Sequence, residues 1–75
     1  MNQKYEDMFN ILLNCKHNGG IIDIVTCNTF VKGSSIECCD ILIKQGYLIK
    51  ITDFSFQITS AGIELINHYY NTSQV

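Results

Sequence analysis

Six side chains of the types that ligate metals or do thiol chemistry occur in this chain: Cys15, Cys27, Cys38, Cys39, His17 and His68. A structural zinc site usually shows two closely spaced ligand pairs. No C-x-x-C pair occurs here, Cys38 and Cys39 are adjacent, and only Cys15 and His17 come close. The spacing therefore predicts no metal and no cofactor. A reactive thiol needs a cation nearby to lower its pKa, and Lys44 is the one cation near Cys38-Cys39 in sequence. The cysteines read as small, reduced, buried apolar residues, although four of them leave disulfide pairing open. No glycine-rich phosphate loop or nucleophile elbow is present. The histidines have no predictable acid partner, and a small domain lacks depth for a substrate pocket. The expectation is a protein that is not an enzyme.

The other available chemistry is ionic. The chain has five lysines, no arginine and seven acids, for a net charge of −2. Non-specific DNA affinity comes mainly from cations at phosphates, and arginine is the usual bidentate reader of guanine. A monomer of this composition is expected to bind DNA weakly at best. A dimer would pool lysines and acids alike.

These residues must be positioned by a single domain, because 75 residues leave room for no more. A chain this short buries only about 60% of its unfolded surface, so a partner often helps its stability. Hydrophobic residues at 47% and charged residues at 16% suit a folded globule. No run of 18 apolar residues suggests a membrane span, and the N-terminus lacks an apolar signal core. A cytoplasmic protein is expected. Residues 71–75 read as a frayed tail after an ordered core of about 3–70.

The first helix is expected from Asn2 to about Lys16, with Tyr5, Met8, Phe9, Leu12 and Leu13 in one apolar stripe. Glu6 and Asp7 sit where the helix dipole favours acids. His17-Asn18-Gly19-Gly20 is a stop signal. Ile21-Ile22 suits a short edge strand, and Asp23 can cap a short helix over Ile24, Val25 and Cys27. Asn28-Thr29-Phe30-Val31 would continue or end it. Lys32-Gly33-Ser34-Ser35 is a turn, and Ser34 or Ser35 caps a third helix to about Gln45. Its buried side is expected to hold Cys39, Leu42 and Ile43, with Ile36 at its start. The opposite side carries Ser34, Glu37, Cys38, Ile41 and Lys44.

Gly46 ends that helix. Residues 47–52 and 55–58 are β-branched and aromatic runs around Asp53-Phe54, a tight hairpin. Thr59 can cap a last helix, in which Ile63, Ile66 and Tyr70 form a stripe beside Leu65 and Tyr69. Helix, hairpin, helix in this order predicts an α+β fold. It is a winged helix-turn-helix of three to four helices with a short β-hairpin wing.

Two motifs sharpen this reading: Leu42-Ile43-Lys44-Gln45-Gly46-Tyr47-Leu48 and Ile58-Thr59-Ser60-Ala61-Gly62-Ile63-Glu64-Leu65. With Ile11-Leu12 through Gly19-Gly20 and Asp23 before them, they resemble the small archaeal winged-helix DNA-binding proteins. They resemble the MarR and PadR regulators more loosely. The similarity covers about residues 8–70. It implies a dimeric transcriptional regulator of double-stranded DNA whose third helix enters the major groove. It implies contacts from Ser34, Ser35, Glu37 and Lys44 on that helix and from Lys32 before it. Lys50, Thr52 and Ser55 would meet phosphates around the wing. A dimer through the terminal helices would use Tyr5, Phe9, Ile66, Tyr69 and Tyr70.

The chain departs from that pattern. The third helix offers Glu37 and Asp40, and the wing tip is Asp53-Phe54. The second expectation is thus a winged helix that binds a protein through the third helix, as an inhibitor or assembly factor of the kind a virus or mobile element encodes. Winged helices serve both ends.

Overall fold

A computed structural model describes the backbone of residues 2–73 and the side chains of residues 2–69. Helix α1 (Gln3–His17) is capped by Asn2, whose side chain accepts from Lys4 N at 2.8 Å. Met8, Ile11, Leu12 and Cys15 are its buried stripe. After the Asn18–Gly20 turn, β1 (Ile21–Asp23) runs into α2 (Ile24–Asn28). The Asp23 carboxylate caps α2, accepting from Thr26 N at 2.7 Å, and the Thr26 bonds hold its pKa below the usual value. Next come α3 (Ser35–Lys44), β2 (Leu48–Thr52), β3 (Ser55–Ile58) and α4 (Ser60–Ser73). Ser34 caps α3 through Glu37 N at 3.2 Å. The described residues thus form four helices and one three-stranded antiparallel sheet, an order compatible with a winged helix.

The strand order is β1-β3-β2. Ile22 pairs with Phe56 and Leu48 with Ile58, and these four side chains enter the core. The alternate residues Ile21, Gln57 and Ile49 pair in a row across the outer face. Lys50 pairs with Phe56 but Thr52 with Ser55, so Ile51 is the additional residue of a bulge in β2. As expected from the sequence, Ile21-Ile22 form an edge strand on the hairpin.

The two motifs meet. Gly46 takes φ 85°, a conformation that glycine adopts without steric cost, and turns the chain out of α3. Thr59 closes on that turn from the other motif. Its N–H donates to Tyr47 O at 3.0 Å and its hydroxyl to Gly46 O at 2.6 Å. The same hydroxyl caps α4, accepting from Gly62 N at 3.1 Å. Helix α4 then passes so close that a Cβ on Gly62 would stand 2.6 Å from Tyr47 O.

Several sequence expectations are corrected. Asp7, expected only as an acid favoured by the helix dipole, is 2% exposed. Its carboxylate accepts from Gln3 Nε2 and from the backbone N–H groups of Lys32 and Gly33, at 3.0, 3.2 and 3.0 Å. Burial alone raises its pKa, but those three donors prevail and hold it below the ordinary value. Cys38 is buried and Ile36 is 60% exposed, the reverse of expectation. With Ser34 as the cap, the inward arc of α3 is Ser35, Cys38, Cys39 and Leu42, and Ile41 and Ile43 flank it half-buried. In α4, Gly62 and Ile66 point inward while Ile63 is exposed.

Candidate nucleic-acid interface

The outward arc of α3 consists of Ile36, Glu37, Asp40 and Lys44. Glu37 is already engaged, since Lys4 Nζ of α1 donates to its carboxylate at 2.6 Å. Glu37 in turn raises the Lys4 pKa, chiefly through that hydrogen bond. The pair joins the second residue of α1 to the first turn of α3. Asp40 and Lys44 lie one helical turn apart and are exposed. The arc thus carries two acids and one lysine.

The other residues implied by the resemblance are placed as follows. Ser35 is corrected outright: it is 4% exposed and its hydroxyl donates to Asn28 Oδ1 at 2.6 Å, tying α3 to α2. It cannot meet DNA in this fold. Ser34 is exposed but spends its hydroxyl on the cap. Lys32 is exposed, and its backbone N–H is one of those by which Asp7 holds the turn. At the hairpin, the Thr52 and Ser55 hydroxyls bond each other at 2.7 Å, and Thr52 Oγ1 also accepts from Phe54 N. Lys50 lies 3.7 Å from Asp53. That exposed pair is weak. Phe54 at the tip is 68% exposed.

The terminal helices carry the other expected surface. Phe9 and Tyr69 meet edge to face, with centroids 5.1 Å apart at 71°. Tyr5 is exposed. Together with Tyr47 and Leu65 they line a cavity of about 130 Å³ among α1, α3 and α4. No carboxylate, imidazole or thiol lines it. Ile66 is removed from the expected interface, because it is 0% exposed and belongs to the core. Tyr70 lies outside the residues whose side chains are described.

All four cysteines are buried and free. Burial pushes Cys15 up to about 11 and also raises Cys38. The interaction between the Cys27 and Cys39 thiols lowers the pKa of Cys27 and raises that of Cys39. Among the described residues no group of three or more His, Cys, Asp or Glu could hold a metal ion. None of the described helices is long and apolar enough to cross a membrane.

The sequence reading missed Asp7 and Lys4. The signal for Asp7 was available: it stands four residues before Ile11 and eight before Cys15, on the buried stripe. Lys4 gave no local signal, because its partner is 33 residues away. Comparison with protein-family models, with curated proteins and with solved structures found no match.

Proposed function

We propose that this chain is a winged-helix interaction module, not an enzyme, which docks a protein through the outward arc of α3 and pairs with a second copy through α1 and α4. The observation that carries this reading is the make-up of that arc. A phosphate-binding helix presents cations, whereas here Ile36 stands exposed beside Glu37 and Asp40, and Lys44 sits alone at the far end. An exposed large apolar side chain amid mixed charge suits a protein partner. The apolar groove at Tyr5, Phe9 and Tyr69 supports the dimer.

A second reading is a dimeric DNA-binding regulator. It is favoured by the exposed lysines before α3, at its end and on the hairpin, Lys32, Lys44 and Lys50. A two-fold dimer would then address half-sites roughly 34–36 Å apart.

Fluorescence anisotropy with random-sequence duplex DNA at about 50 and 200 mM salt separates the two. No binding at tens of micromolar is expected. Micromolar binding that weakens steeply with salt, and that Lys44→Ala and Lys50→Ala reduce, would instead establish the DNA reading. Under the protein reading Ile36→Asp abolishes partner capture and leaves the helical circular dichroism unchanged.

A further inference from the structure

We propose that the Asn18-Gly19 peptide is a site of spontaneous deamidation whose product loosens β1 from α1. Asparagine is thermolabile, because the next backbone nitrogen can attack its side-chain amide carbon. A glycine at the next position puts no side chain in the way of that attack. Asn18 is the only asparagine of this chain that glycine follows. Asn18 and Gly19 are both exposed, and a Cβ on Gly19 would meet nothing within 4 Å. The neighbouring N–H groups are occupied. Asn18 N–H donates to Asn14 O and Cys15 O, and Gly20 N–H to Cys15 O at 2.8 Å. The Gly19 nitrogen is the one that must attack, and its N–H makes no hydrogen bond among the described residues. The Asn18 amide is held by the bond from its Nδ2 to Ile21 O at 2.9 Å. That bond is exposed, so water competes for both groups, and it slows the reaction by no more than about tenfold.

The step is an intramolecular transamidation. Gly19 N forms a bond to Asn18 Cγ, and the Cγ–Nδ2 bond breaks. The Gly19 amide proton passes through solvent to the departing Nδ2, which leaves as ammonia, and a succinimide ring remains. Water then opens the ring. Opening at Cγ gives aspartate. Opening at the main-chain carbonyl gives isoaspartate, whose chain runs through Cγ. The balance needs only water. Both products lose the donor to Ile21 O and place a carboxylate at the C-terminal end of α1, where the helix dipole disfavours an acid. Isoaspartate also lengthens the main chain inside the turn. That turn helps to set the sheet, since Gly20 O accepts from Ile58 N at 2.9 Å and from the Cys15 thiol at 3.1 Å. The stop signal that ends α1 is thus also the place where the hold of α1 on β1 decays with time.

The test is prolonged incubation of the full chain at mildly alkaline pH with its thiols kept reduced, both folded and in denaturing urea, followed by mass spectrometry of proteolytic peptides. In the folded chain Asn18 should convert to a mixture of aspartate and isoaspartate, with a mass gain of about 1 Da. The folded rate should lie within about tenfold of the unfolded rate, and Asn18 should react before every other asparagine. The rate should rise with pH, because a base must take the Gly19 proton. Folded conversion slower than that margin, or a first conversion at another asparagine, would overturn the site. The product carries one more negative charge, so ion exchange separates it from the unreacted chain. Its Tm should be the lower of the two, and equal melting would overturn the loosening of β1. Asn18→Ser should abolish the conversion, and mapping on the wild-type chain needs no variant to fold.

Discussion

Two regions of this molecule use their polar groups in opposite ways. At the junction of the two motifs, Thr59 spends its polar groups on the chain itself. Thr59 bonds Gly46 and Tyr47 and caps α4 at Gly62, where Tyr47 O and Ile58 leave no room for a Cβ. On the outward arc of α3, Asp40 and Lys44 are exposed, Ile36 is uncovered and Glu37 holds only one exposed lysine. The residues that carry the winged-helix resemblance are those of the junction. They therefore report how the hairpin is clamped between two helices. The surface proposed above for a partner is the arc, where this chain departs from the resemblance.

Substitutions can break that contrast. The largest effect is expected at Gly62. Alanine there should gain about 1 kcal/mol of helix propensity. Its Cβ would nevertheless lie 2.6 Å from Tyr47 O and 2.7 Å from Ile58 Cγ1. Backbone must move, and overpacking of this kind costs about 1–3 kcal/mol, occasionally more. Urea titration of Gly62→Ala should give a lower midpoint than wild type. An unchanged or higher midpoint would mean that the clamp is looser than described.

Asp7 comes next. Asp7→Asn removes a charge that three donors hold at the turn before α3, and thermal melts should show a clear fall in Tm at pH 7. The pH dependence has a definite sign. The folded carboxyl titrates below its ordinary 3.8, so its stabilisation is complete above the unfolded pKa. It is lost as pH falls through the folded value. Wild type and Asp7→Asn should therefore begin to converge only below 3.8 and meet once pH has fallen past the folded value. A gap that persists at low pH would assign the loss to packing instead.

Thr59→Ala removes a cap and the bond to Gly46 O, for about 1–2 kcal/mol by chemical denaturation. The smallest effect on stability belongs to the arc. Glu37→Lys breaks an exposed pair and should change stability by less than about 1 kcal/mol. It should also raise random-sequence DNA affinity at low salt. If Glu37→Lys unfolded the domain, the division between clamp and arc would fail.

The order of elements was legible because its signals are local. Asn18-Gly19-Gly20, Asp23, Ser34, Gly46 and Thr59 each act within a few residues of themselves, and each stands where it was expected. The site was less legible. Successive helix residues differ by about 100°, so fixing the cap at Ser34 decided that Ser35 and Cys38 turn inward and Ile36 outward. Lys4–Glu37 and Asp7–Gly33 join residues far apart in the chain. Such pairs follow from the packing of α1 on α3, which no local pattern encodes.

The bulge at Ile51 governs what happens when many copies meet. β2 is an edge strand with Ile49 and Ile51 exposed, the kind of border onto which further strands add and fibrils grow. Growth needs an even spacing of backbone donors and acceptors. The additional residue interrupts that spacing midway along β2, and Lys50 beside it places a charge that a dry, stacked interface would have to bury. On the β2 side of the sheet, the bulge thus denies an adding strand a regular ladder to copy.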